Sequence, residues 1–127
     1  MSEIKKYLDD LNEPNKSICK RLSELIHSSL VNGVAKLYHA SPVWFVDGNP
    51  IVGFSEKKGM ISLLFWSGQS FTAPGLTPIG KFKAAEKVYS SVEGINAEEL
   101  VVWLNESMSI QWDYKNIIKN KGQLSKL

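Results

Sequence analysis

The sequence predicts an α+β fold in two layers, an antiparallel sheet of about five strands with the N-terminal and C-terminal helices packed on one face. Three observations predict it. Apolar residues recur at helical spacing only before Asn32 and after Ile95. Between those points they form short runs rich in β-branched and aromatic residues, punctuated by Gly, Asn and Asp. The links among the first four runs are too short to hold a crossover helix, and only antiparallel neighbours can be joined that way.

Ile4, Tyr7, Leu8 and Leu11 make the single apolar stripe of a short first helix that Ser2 can cap. Pro14 is tolerated only in a first helical turn, so it marks a new start. A second stripe then runs through Ile18, Leu22, Leu25, Ile26 and Leu30 to a stop at Asn32-Gly33. Strands are expected over Val34 to His39, Val43 to Val46, Ile51 to Ser55, Met60 to Trp66 and Lys87 to Val92. Asp47-Gly48-Asn49-Pro50 and Lys57-Lys58-Gly59 supply tight turns, because Gly and Asn reach positive φ cheaply. The Gly- and Pro-rich stretch from Ser67 to Lys83 reads as an irregular loop over one sheet edge. Asn96 and Glu99 have the spacing of a capping box, flanked by Ile95 and Leu100 as a hydrophobic staple. Leu100, Trp103, Leu104 and Met108 continue that helix, and Trp112, Ile117 and Ile118 resume the pattern after a weak point near Ser109. With 127 residues, one core is expected over residues 1–118, with 119–127 as a frayed Lys-rich tail.

Composition narrows the function classes. Hydrophobic residues are 43% and charged residues 22% of the chain, the balance of an ordinary globular domain. Cys19 is the lone cysteine, which excludes an intrachain disulfide and a thiolate-rich metal cage within one chain. No apolar run approaches the roughly 20 residues of a membrane span, and Met1 to Lys6 lacks the apolar stretch of a secretory leader. These features predict a cytoplasmic protein without a membrane partner. A net charge of +2 with Arg21 as the sole arginine argues against nucleic acid.

A set of short motifs carries a resemblance. In order they are Tyr7-Leu8, the Leu22 to Ile26 segment, Val43-Trp44-Phe45 before Gly48, Met60-Ile61-Ser62-Leu63-Leu64-Phe65 with Gly68, Gly80-Lys81, and Ile95-Asn96 ahead of Leu100. From about Ile4 to Met108 the chain resembles the YdhG-like family of the wider YdhG/YjbR/CyaY-like group. Some members of that family are described as frataxin-like iron chaperones. The resemblance implies the helix, helix, meander, helix order, and as an alternative function the handling of ferrous iron by surface carboxylates. Asp9, Asp10 and Glu13 are the metal candidates under that alternative. Lys5, Lys6, Lys16, Lys20 and Arg21 interleave with the acidic residues of the first two helices. The expected iron affinity is therefore no tighter than micromolar.

No HExxH, paired CxxC or GxSxG motif is present, so no catalytic residue is assigned. His39, beside Tyr38 and near Ser41, is the one candidate general base or ligand on a strand end. The Gly75 to Lys81 loop lacks the following helix that a phosphate cradle requires. Alternation along residues 60–66 sends Met60, Ser62, Leu64 and Trp66 to one face and Ile61, Leu63 and Phe65 to the other. Both faces are then largely apolar, and helices cover one. The other face is expected to hold a small molecule or a protein, a second copy in a homodimer among the alternatives, or to be covered by Phe71 and the Pro74 to Ile79 loop. The ligand-binding candidates are Tyr38, His39, Trp44, Trp66 and Phe71. The function expected is that of a non-catalytic small-ligand-binding or protein-interaction module with no resident cofactor.

Overall fold

The computed structural model describes residues 2–127. Three α-helices, α1 Ser2–Asp9, α2 Asn15–Ser29 and α3 Ala97–Ser109, pack on a sheet of β1 Val34–Tyr38, β2 Ser41–Val46, β3 Asn49–Lys57, β4 Met60–Phe65, β5 Thr77–Pro78 and β6 Ala85–Tyr89. The order across the sheet is β1-β2-β3-β4-β6-β5, with antiparallel pairing throughout. Among the described residues no helix is long and apolar enough to cross a membrane.

The local chemistry explains the helix limits. α1 opens at Ser2, whose side chain, and with it the expected cap, lies outside the described part. Pro14 holds the N-cap position of α2, where its missing N–H leaves no bond unmade. Ile18, Cys19, Leu22 and Ile26 form the buried stripe of α2. Asn96 Oδ1 accepts the Glu99 N–H at 3.1 Å and caps α3, while Leu100, Trp103 and Leu104 face the core. Under these helices lie Trp44, Val52, Phe54, Ile61, Leu63 and Phe65. Each such side chain withdrawn from water contributes about 1.5–3 kcal/mol.

The strands depart from expectation at their ends. β1 stops at Tyr38 because His39 and Ala40 both adopt positive φ, 51° and 65°, and turn the chain straight into β2. Asp47-Gly48 and Lys58-Gly59 make the same kind of two-residue turn. β6 begins earlier than expected, at Ala85, and Val92 belongs to a 3-10 turn at Val92–Gly94. Thr77–Pro78, expected to be loop, pairs with β6 as a two-residue edge strand.

His39-Ala40 is a left-handed turn without glycine. The Cβ of an L-residue meets the following carbonyl there, at a cost of about 1–2 kcal/mol. Ala40→Gly is therefore expected to raise stability by about 1 kcal/mol, after the greater freedom of the unfolded glycine is offset. An increased denaturant midpoint at unchanged slope checks this.

The stretch after β4, one of the alternative covers for the second sheet face, turns toward α3. The Thr72 N–H and hydroxyl donate to Glu106 Oε1 at 2.8 and 2.7 Å, and the Ala73 N–H donates to Oε2 at 3.0 Å. Burial pushes the Glu106 carboxyl up, but these bonds outweigh it and hold it below the usual carboxylate range. Trp103 Nε1 donates to the Pro74 carbonyl at 3.1 Å. Gly75 is required at φ +111°, since a Cβ there would come within 2.7 Å of the Trp103 ring.

Candidate functional site

The face of the sheet turned away from the helices carries Val43, Gly53, Ser55, Ser62, Leu64 and Trp66, a consequence of the two-residue period of β2, β3 and β4. Its centre lacks a side chain. A Cβ on Gly53 would lie 2.6 Å from the Pro42 carbonyl oxygen, so only glycine lets β2 and β3 approach there, and the result is a concave floor. The cavity above it has a volume of about 250 Å³ and is walled by Tyr38, His39, Leu64 and Trp66. A second cavity of about 240 Å³ shares Tyr38 and Trp66 and continues over Phe45 and Pro50 to Tyr114, Lys115, Ile117 and Ile118.

The outer wall of the second cavity is the segment after α3. Trp112 and Ile117 do not resume a helix. α3 ends at Ser109, and the chain crosses to the open face through a 3-10 turn at Tyr114–Asn116. Asn49, only 1% exposed, holds it there. Its Nδ2 donates to the Trp112 carbonyl at 2.9 Å and to Gln111 Oε1 at 3.2 Å, and its Oδ1 accepts the Lys115 N–H at 3.0 Å. Ser67 Oγ accepts the Trp112 N–H, and Ser70 Oγ accepts the indole N–H. Within residues 119–127, the Ser125 carbonyl accepts the Asp113 N–H at 2.7 Å and the Leu127 N–H donates to the Gln111 carbonyl at 2.8 Å.

At the polar end of the first cavity, Ser62 Oγ donates to Glu86 Oε1 at 2.6 Å, and Lys57 Nζ donates to both carboxylate oxygens at 2.9 and 3.0 Å. Glu86 is 8% exposed. Burial pushes its carboxyl up, yet the bonds from Lys57 and Ser62, with the Lys57 charge, hold it below the usual range. The pair leaves little net charge beside the cavity.

Three of the five ligand candidates come together: Tyr38, His39 and Trp66 line the first cavity. Tyr38 packs edge-on against Phe45 at 5.5 Å and beside the His39 ring at 4.3 Å. The other two lie elsewhere. Trp44 points to the helix side, fully buried against Phe54, because alternation in β2 places it opposite Val43 and Phe45. Phe71 packs on Phe65 at 5.5 Å, also on the helix side. Gly53, Ser62, Glu86 and Lys115 went unrecognised as site residues. The alternation of Gly53, Ser55 and Lys57 with Val52 and Phe54 was the available signal for the first of these.

The carboxylates named for iron are held separately. Asp9 pairs with Lys5 at 3.9 Å and Asp10 with Lys6 at 3.2 Å, while Glu13 accepts the Ser17 N–H and hydroxyl at 3.0 and 2.7 Å. Among the described residues no group of three or more His, Cys, Asp or Glu side chains is placed to hold a metal ion. Cys19 is core, and burial, with the Glu56 charge, pushes its thiol up to about 12, so it stays protonated at neutral pH.

Comparisons with protein-family models, curated proteins and solved structures found no match.

Proposed function

We propose that this chain is a non-catalytic binding module of the YdhG-like kind, holding a small, largely apolar molecule on the open face of its sheet. The observation that carries the reading is the paired cavity meeting at Tyr38 and Trp66, floored at Gly53. Two aromatic rings there bound apolar surface from Val43 and Leu64, while Ser55 and Ser62 offer hydroxyls nearby. Few polar groups around a concave apolar floor are the usual make-up of a small-molecule site. The order of helices and antiparallel strands accords with the family resemblance.

The test is an NMR titration of the full chain with a panel of one- and two-ring aromatic compounds. Amide shifts should cluster on Tyr38, Val43, Leu64 and Trp66, and Trp66→Ala should weaken binding by at least about tenfold, since an aromatic anchor commonly carries more than 1.4 kcal/mol. Shifts absent from this face, or unchanged affinity in Trp66→Ala, would remove the reading. Sedimentation of the same samples reports whether a second copy takes the face instead. Ferrous iron is expected to bind no tighter than about micromolar, because the lysines beside Asp9 and Asp10 cancel their field. Anaerobic calorimetry checks it, and submicromolar binding abolished by replacing Asp9, Asp10 and Glu13 would overturn it.

A further inference from the structure

The charged residues lining the two cavities are of one sign. Neither cavity is lined by an Asp or Glu side chain, whereas Lys115 lines the second. Lys36 Nζ stands 4.6 Å over the Phe45 ring, and Lys83 Nζ stands 4.6 Å over the Trp112 ring. Glu86, whose carboxylate bonds to the wall residue Ser62, is already paired with Lys57. Lys115 Nζ donates to the Asp47 carbonyl at 3.1 Å, which leaves donors free on an ammonium that has three.

The size is also informative. A dry cavity of about 150 Å³ accepts a benzene ring. The two cavities here, about 250 and 240 Å³ and sharing two aromatic walls, have room for one or two fused rings plus a substituent. We propose, resting on the binding role given above, that the ligand is a small aromatic carboxylic acid. Its rings lie between Trp66 and Tyr38 over Phe45, and its carboxylate points to Lys115. The apolar walls bind the rings, and the surrounding lysines favour the anion over a neutral molecule of the same shape.

The probes are naphthoate and its neutral analogue naphthyl methanol, titrated into the full chain and followed by amide shifts. At low salt naphthoate should bind about five- to tenfold more tightly, the scale expected for a few partly exposed opposite charges. That preference should shrink toward unity at high salt, where the screening length falls to a few ångströms. It should also shrink in Lys115→Gln, which keeps the backbone bond to Asn49, with the acid losing more affinity than the alcohol. Trp66→Ala should weaken both probes. Equal binding of acid and alcohol on this face at low salt would overturn the acid while leaving the binding face standing. Failure of both probes to shift this face would overturn the proposal together with the binding role.

Discussion

Trp103→Ala should lower stability by about 3–5 kcal/mol, the usual loss for a core aromatic. The indole is fully buried, meets Phe65 edge-on at 6.0 Å and donates to the Pro74 carbonyl. Truncation opens a void between α3 and β4 and leaves that carbonyl unpaired. Gly75 leans on the same ring, so the loop from Thr72 to Leu76 loses its support as well. Denaturant melts of Trp103→Ala and Trp66→Ala side by side are the measurement. Trp66 is half-buried on the open face, so its truncation should cost clearly less. Equal losses would make Trp66 an ordinary core residue.

Lys57→Met should destabilise the fold by about 1–3 kcal/mol at neutral pH, because it strands a buried carboxylate. The pH dependence separates this from a packing effect. In the native chain the Glu86 carboxyl lies below its ordinary value. Its contribution is therefore present above the unfolded value, about 4.3, and fades as pH falls through the lower folded one. Without the lysine, burial prevails and the folded value rises above the unfolded one. The variant's deficit should then be largest at neutral pH and shrink on acidification. Thermal melts between neutral and mildly acidic pH read this directly, and a deficit independent of pH would refute it.

The fold was legible where local chemistry and tertiary packing agree. Asn96 and Glu99 mark the start of α3 in the sequence and in space, and the alternation in β4 sends Ile61, Leu63 and Phe65 under the helices as read. Elsewhere the deciding contacts were long-range. Thr77–Pro78 is too short to show a period, and it is a strand only because β6 presents an edge to it. Trp44 and Phe45 are neighbours with opposite fates, and which ring faces the helices depends on a register that includes an irregularity between them. Trp112 and Ile117 sit at helical spacing, yet Asn49, more than sixty residues earlier, draws their segment across the sheet. Nothing local to Asn49 distinguishes it from a turn asparagine. Half of the candidate site was visible as Tyr38, His39 and Trp66, and the half contributed by the final segment was not.

That segment rests on a small set of side-chain bonds centred on Asn49, and this has a kinetic consequence. Asn49 joins the Trp112 carbonyl and the Lys115 amide to β3, and Ser67, Ser70 and the Asp47 carbonyl add to it, so residues 111–118 are expected to open as one unit when these bonds part. The remaining core need not melt for this to happen, so the opening free energy lies below that of global unfolding. The exchange lifetime of the Lys115 amide proton, which Asn49 Oδ1 holds, then reads that motion without any melting of the sheet.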